Sequence, residues 1–135
     1  MTTGPMPDDV QEMLKRPNPA VMATLRSDGQ PVSVATWYLY ENGRILVNLD
    51  ASRARLKHLR ADPRVSLTAL ADDNWYTHVS VRGRVVDLLD DTDLADIDRL
   101  SIHYGGSPYP DRTSPRVSAW IEIESWHGWG SAKQD

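Results

Sequence analysis

The residues of this sequence whose types and spacing could do chemistry are concentrated in a short basic segment that begins at Ser52. In a helix, Arg53, Lys57 and Arg60 would lie on one face, because they are spaced i, i+4 and i+7. Ser52 could cap this helix, so that its first N–H groups, a hydroxyl and nearby cations would all face one anion. Cations in the first turn of a helix are unfavourable, because they oppose the positive end of its dipole. Their presence here is explained more easily if an anion binds at that end. A solvated basic helix face is the alternative. The cations of the segment are Arg53, Arg55, Lys57, Arg60 and Arg64.

The charge of the rest of the chain indicates what kind of anion this segment could bind. The 135 residues carry a formal net charge of −4, which argues against nucleic acid as a partner because nucleic-acid binding needs a basic surface. A single positive patch on an acidic protein is typical of a site for a small anion. The acidic run from Asp87 to Asp98 is interpreted as a solvated approach to a helix.

The first half of the chain predicts a short helix followed by three strands. The helix is expected over Met6–Lys15 and is ended by Pro17-Asn18-Pro19. Strands are expected over Ala20–Arg26, Pro31–Tyr40 and Ile45–Leu49. Asp-Gly and Asn-Gly pairs lie between them and are strong hairpin signals. A three-stranded antiparallel meander is therefore predicted.

The second half predicts two helices and three further strands. The periodicity changes to helical over Ser52–Ala61, and Asp-Pro stops that helix. Another helix is expected over Thr92–His103, with Thr92 as its N-cap. Gly83 suggests a bulge or a close backbone approach. The strands are expected over Arg64–Ala71, Trp75–Leu89 and Arg116–Glu124.

Six strands with helices only at connections predict a mainly β protein built as a small antiparallel barrel. The length fits one domain over residues 1–135, with an N-terminal helix in 1–17, a barrel in 18–130 and a tail in 131–135. No apolar run is long enough for a membrane span, and no signal peptide is evident, so a soluble, cytoplasmic protein is expected.

Several classes of chemistry are not supported by the residues. The chain has no cysteine and four histidines, and the histidines lack the spacing of metal ligands, so no metal site is expected. No glycine-rich dinucleotide motif, P-loop or nucleophile elbow is present.

Three ordered segments resemble a known superfamily. They are "GQPVSVATWYLYENGRILV", "NLDASRARLKHLRADPRVSLTAL" and "VSVRGRVVDL". Together they are similar to the pyridoxamine-phosphate-oxidase-like split β-barrels, and within these to flavin/deazaflavin oxidoreductases of the B type, which use coenzyme F420. The resemblance covers about Asn18 to Gly130. It implies the FMN-binding type of split barrel and a homodimer with active sites at the interface.

The resemblance also implies roles for residues of this sequence. The cofactor phosphate would be held by Ser52, Arg55 and Lys57, with Arg53 and Arg60 nearby, and the ribityl tail would be lined by Asn48 and Leu49. The C-terminal tryptophans Trp126 and Trp129 would close the site of the other subunit. His103-Tyr104 stands where such families often have Arg-Tyr; either residue could donate a proton or be structural. The segment beside the ring of the cofactor would be Val34, Ala35, Thr36 and Trp37.

The function implied is hydride transfer from reduced coenzyme F420 to a conjugated, electron-poor small molecule. Two alternatives remain at this point. The same fold could bind FMN as an oxidase or reductase, or it could be a non-catalytic cofactor-binding protein. In hydride transfer of this kind the protein supplies binding and geometry while the cofactor supplies the chemistry.

Overall fold

The computed structural model describes residues 1–134, which form seven strands, three α-helices and one 3-10 turn. The helices are α1 (Asp8–Leu14), α2 (Ala54–Ala61) and α3 (Ala95–Gly105), and the turn is Gly130–Ala132. The strands are β1 (Ala20–Leu25), β2 (Pro31–Thr36), β3 (Leu39–Glu41), β4 (Arg44–Asp50), β5 (Arg64–Leu70), β6 (His78–Asp90) and β7 (Arg116–Trp129).

All seven strands belong to one antiparallel sheet whose order is β2-β1-β5-β6-β7-β4-β3. Its two edge strands, β2 and β3, are consecutive in the chain and are separated only by Trp37 and Tyr38. Two residues span only about 7–10 Å, so the two edges must lie close together. The sheet therefore curls into a barrel whose edges are joined by the chain, which confirms the mainly β prediction.

The interior of the barrel is filled by buried apolar side chains of α1, of Leu59 in α2 and of every strand except β2 and β3, and the half-buried Tyr40 of β3 packs against them. Val10, Met13 and Leu14 of α1 are buried in this core, as expected from their i, i+3, i+4 spacing. The 3-10 turn adds Ala132, which is 4% exposed, so the expected tail is packed through this turn. Asp135 lies outside the described residues. No helix in residues 1–134 is both long and apolar enough to cross a membrane.

Seven strands rather than six are present because the segment predicted as one strand over Pro31–Tyr40 is divided. Tyr38 is fully buried, and its hydroxyl donates to the Leu14 carbonyl at 2.8 Å. Its backbone N–H donates to the Tyr104 hydroxyl at 3.3 Å rather than to a neighbouring strand. The chain therefore leaves β2 and enters β3 on the opposite edge, and the predicted three-stranded meander is wrong. Both expected hairpins are present, β1–β2 at the Asp-Gly pair and β3–β4 at the Asn-Gly pair, but they lie at opposite ends of the sheet order.

The predicted caps of both later helices are also wrong. α2 begins at Ala54 with no side-chain cap. The Ser52 hydroxyl instead donates to Asp50 Oδ1 at 2.7 Å, and the Ser52 N–H donates to the same oxygen at 2.9 Å. This local turn competes with capping.

The acidic run before α3 is not wholly solvated. Asp91 is 5% exposed and accepts hydrogen bonds from the N–H groups of Asp96 and Ile97, at 3.1 and 2.9 Å. It therefore caps α3 in place of Thr92, because its carboxylate satisfies two otherwise unpaired donors of the first turn.

The predicted irregularity at Gly83 is present. The register between β6 and β7 shifts between Arg82 and Gly83. A Cβ atom built on Gly83 would lie 2.1 Å from the backbone oxygen of Glu122. Glycine thus lets β7 approach β6 more closely than any side chain would allow, and the bulge adds local twist to the barrel wall.

Candidate functional site

A cavity of about 600 Å³ opens beside the junction of β2 and β3. One part of its wall is aromatic and apolar, and another part carries two arginines. This volume lies within the range of small-molecule and cofactor sites. The lining residues are Pro17, Pro19, Ala20, Ala35, Thr36, Trp37, Asn48, Arg55, Asp72, Ile97, Leu100, Tyr104, Tyr109 and Arg116.

Arg55 is the cation that α2 directs into this cavity. Its Nη1 atom is buried and has no hydrogen-bond partner, and it is the only such side-chain atom among residues 1–134. Burial lowers the pKa of its guanidinium, and the positive charges of Arg53 and Arg116 lower it further. A buried donor without a partner is costly, so the arrangement is suited to an anion that would satisfy it.

Arg116, the first residue of β7, brings a second cation to the cavity. Its Nε donates to Asn48 Oδ1 at 2.7 Å. The guanidinium carbon lies 4.8 Å from the centre of the Tyr109 ring, a cation–π arrangement that holds the planar group over an aromatic surface. Planar guanidinium groups suit phosphate, because their donors match two of its oxygens.

The aromatic part of the wall is formed by Trp37, Tyr104 and Tyr109. Trp37 stacks on Tyr104 with centroids 5.4 Å apart, and it meets Tyr109 edge-on at 6.2 Å. Trp37 is still 38% exposed, so part of its surface remains uncovered. A cavity with aromatic rings in one part and guanidinium groups in another fits a flat conjugated ring joined to a phosphate.

The hydroxyl of Tyr104 is already committed within the protein. It donates to the Asn18 carbonyl at 2.7 Å and accepts from the Tyr38 N–H. Its donated proton is therefore directed at the backbone and not into the cavity. His103 packs its ring edge-on against Tyr104 at 5.5 Å and is not one of the lining residues.

The two buried tyrosines should make the fold sensitive to alkali. Burial raises the pKa of Tyr104 to about 12 and raises that of Tyr38 as well, whereas an unfolded tyrosine titrates near 10. Deprotonation is thus easier in the unfolded chain, so this contribution to stability is complete below pH 10 and is lost as the pH rises toward 12.

Absorbance at 295 nm should show that at least two of the five tyrosines remain largely unionised at pH 11 in the folded protein. The same titration in denaturant is the control, and there all five should ionise together. Ionisation of all five near pH 10 while the circular dichroism stays native would contradict the burial of these hydroxyls.

The structure brings together only part of the set of residues expected from the sequence. Ala35, Thr36, Trp37, Asn48 and Arg55 line the cavity. Leu49 is 1% exposed and belongs to the core. The residues that are exposed and do not line the cavity are Val34, Ser52, Arg53, Lys57 and Arg60.

The two tryptophans expected to reach a partner have different surroundings. Trp126 is 3% exposed, belongs to the core of its own chain and donates from Nε1 to the Gly4 carbonyl at 2.8 Å. Its side chain is therefore occupied by contacts within its own chain. Trp129 is 40% exposed, with Lys133 Nζ 4.6 Å above its ring.

Sequence reasoning missed Arg116 and Tyr109, which lie far along the chain from the basic segment. A weak signal existed for each of them. Tyr109 is the only aromatic residue in the Gly/Pro-rich loop before β7, and Arg116 is a cation directly after Pro115. Neither signal indicates the cavity without the pairing of β7 with β4, which places Arg116 opposite Asp50.

Comparisons with solved structures agree with this architecture. A structure named F420 reductase superposes with a TM-score of 0.81 at 27% identity, covering 90% of this chain and 98% of the other. The conserved protein Rv2991 from Mycobacterium tuberculosis gives 0.72 at 24% identity, with 96% and 88% covered. General Stress Protein 26 from Bacillus anthracis gives 0.66 at 16% identity, with 90% and 92% covered. The last two matches show the fold alone.

The sequence itself matches a family over nearly its whole length. The family described as pyridoxamine 5'-phosphate oxidase matches residues 6–130, a range that contains every strand and every residue lining the cavity. The resemblance of the three ordered segments to the pyridoxamine-phosphate-oxidase-like split β-barrels is therefore confirmed. This chain belongs to the pyridoxamine 5'-phosphate oxidase family of split barrels.

Proposed function

We propose that the protein is an oxidoreductase that uses reduced coenzyme F420 to reduce a conjugated, electron-poor small molecule. The observation that carries this proposal is the buried, unpartnered Nη1 of Arg55 in a cavity with an aromatic wall. The 27% identity to a structure named F420 reductase supports the choice of deazaflavin. When bound, the reduced cofactor supplies a hydride from C5 of its ring.

The residues of the chain would bind and orient this cofactor. Arg55 and Arg116 would hold the phosphate, each with charge-assisted hydrogen bonds. Thr36 and Trp37, with Ala35, would lie beside the ring and exclude water from one of its faces. Arg55 has no acidic partner within residues 1–134, so an anion would restore its electrostatic balance.

The exposed face of α2 would bind the rest of the cofactor's acidic tail. Coenzyme F420 carries a lactyl phosphate and an oligoglutamate chain, which is longer and more acidic than the single phosphate of FMN. Arg53, Lys57 and Arg60 are exposed; Lys57 and Arg60 lie on the helix that supplies Arg55, and Arg53 directly precedes it. We assign these three cations to the tail, where solvated charges contribute modestly to affinity.

A second copy of the chain would complete the site. Ala35 lies opposite Val21 in the β1–β2 register, and both residues are exposed. The β2 wall of the cavity therefore continues onto an apolar outer surface. A homodimer that covers this surface would close the cavity, and the exposed Trp129 is available to contribute to it.

Parallel titrations with F420 and FMN test the proposal. Because Trp37 lies in the wall, F420 should quench tryptophan fluorescence with a Kd below about 100 µM, or about −5.5 kcal/mol, and FMN should bind more weakly. Reduced F420 should then be oxidised in the presence of a quinone or enone acceptor. Light scattering on the same sample should give twice the mass of the chain.

The possible failures separate the alternatives. Tighter binding of FMN than of F420, with a flavin absorbance band in the purified protein, would favour an FMN oxidase or reductase. Binding of F420 without turnover of any acceptor would leave a non-catalytic cofactor-binding protein. No binding of either cofactor below about 100 µM would refute the cofactor site.

A further inference from the structure

The side-chain amide of Asn48 is buried beside the cavity, and all its hydrogen-bonding groups are used within the protein. It is 7% exposed. Its Nδ2 group donates to Asp91 Oδ2 and to Ser118 Oγ, each at 3.1 Å. Its Oδ1 atom accepts from Arg116 Nε at 2.7 Å. Both amide protons and the carbonyl oxygen thus have partners in the chain.

The surroundings of this amide allow only one orientation. The Asp91 carboxylate oxygens act as acceptors, already receiving the N–H groups of Asp96 and Ile97, and the single hydroxyl proton of Ser118 is donated to Asp96 Oδ2 at 2.7 Å. Both groups therefore require the NH2 side of the Asn48 amide to face them. The carbonyl side must then face Arg116, so the direction of the Arg116 hydrogen bond is determined by acceptors on the other side of the amide.

This bond fixes one edge of the Arg116 guanidinium and leaves the other edge available. The Tyr109 ring lies against its plane at 4.8 Å. Among residues 1–134 the Nη1 and Nη2 atoms of Arg116 donate no hydrogen bond, and no carboxylate oxygen lies within 4.0 Å of them. A guanidinium held by Nε and by a ring presents its two terminal nitrogens as a preformed pair of donors.

We infer that Asn48, held by Asp91 and Ser118, is a positioning residue that orients Arg116 as the second cation of an anion site shared with Arg55. This differs from the expectation that Asn48 lines the ribityl tail as a direct contact. The inference deepens the proposed function and rests on it for the identity of the anion as a cofactor phosphate. Partners behind a binding residue commonly matter almost as much as the residue itself, because they restrict its orientation.

A double-mutant cycle tests whether Asn48 acts through Arg116. Binding is measured with F420 and, independently of any cofactor, with inorganic pyrophosphate. Arg116→Ala should weaken binding about 10- to 150-fold, and Asn48→Ala about tenfold. The double variant should be no weaker than Arg116→Ala alone. Losses that multiply in the double variant would mean that Asn48 contacts the anion itself, and would overturn the inference.

A second variant keeps the test valid if Asn48→Ala fails to fold. Arg116→Lys keeps the charge and leaves the bonds of Asn48 to Asp91 and Ser118 in place, but a lysine cannot bind Asn48 and present two further donors in one plane. It should lose most of the affinity, about tenfold. Full affinity in Arg116→Lys would show that charge alone suffices, and would also overturn the inference.

Arg44→Ala is the matched control, because Arg44 also lies over an aromatic ring, that of Trp120 at 4.6 Å, but does not line the cavity. It should leave the affinity for both probes unchanged. If the wild type binds pyrophosphate and neither cofactor, the proposed function fails while the cycle still decides the role of Asn48. If it binds none of the probes, both proposals are overturned.

Discussion

Replacement of Arg55 by methionine should weaken F420 binding by about 10- to 150-fold and raise the melting temperature of the ligand-free protein. The first effect follows because Arg55 presents a buried donor to the cavity. The second follows because the same donor has no partner until an anion binds, and an unsatisfied buried polar group costs about 1–3 kcal/mol. Methionine fills a similar volume without this cost.

Lys57→Met is the matched control on the same helix, since Lys57 is exposed and does not line the cavity. Its effect on stability should stay within about 0.5 kcal/mol. Its effect on F420 affinity should not exceed about fivefold, the range of an exposed ion pair. Isothermal titration and thermal melts without ligand give both quantities. Equal losses of affinity in the two variants, or a lower melting temperature for Arg55→Met, would contradict the site.

Replacement of Gly83 by alanine should destabilise the fold by about 3 kcal/mol or more. The added Cβ would lie 2.1 Å from the Glu122 backbone oxygen and 3.0 Å from Ile121 Cγ2. Because the nearer atom belongs to the backbone of β7, no side-chain rotation relieves the contact. The β6–β7 pairing must shift. This pairing runs along the whole of β6, from His78 to Asp90.

Gly105→Ala is the control, because nothing lies within 4 Å of a Cβ atom at Gly105. It lies at the end of α3, where alanine should be neutral or stabilising by up to about 1 kcal/mol. Urea unfolding followed by circular dichroism measures both variants. Equal midpoints for Gly83→Ala and wild type would mean that the two strands are not as closely packed as the structure shows.

The parts of the fold that depend on neighbouring residues could be predicted from the sequence. The Asn42-Gly43 turn is an example. Both residues have positive φ, 54° and 77°, the conformation of a two-residue hairpin turn that this pair favours. The bulge at Gly83 and the apolar face of α1 were accessible for the same reason, since a local preference and a short period determine each of them.

The parts that depend on distant contacts could not be predicted. The division of β2 from β3 is caused by Tyr38, whose partners Leu14 and Tyr104 lie 24 and 66 residues away in the chain. The site shows the same limit. The sequence predicts an anion at the start of α2, and the structure places Arg55 there, but Arg116 comes from a strand 61 positions later (116 − 55). The cations that are neighbours of Arg55 in the sequence, Arg53, Lys57 and Arg60, are instead exposed and do not line the cavity.

The junction between β2 and β3 affects which sizes of ring the cavity could accommodate. The two edges are joined by the chain at Trp37 and Tyr38, and in the described part of the chain β2 and β3 do not pair with each other. The cavity is lined at this junction by Thr36 and Trp37. The two edges can therefore separate slightly without breaking interstrand hydrogen bonds, so that rings of different width could enter at little cost to the barrel.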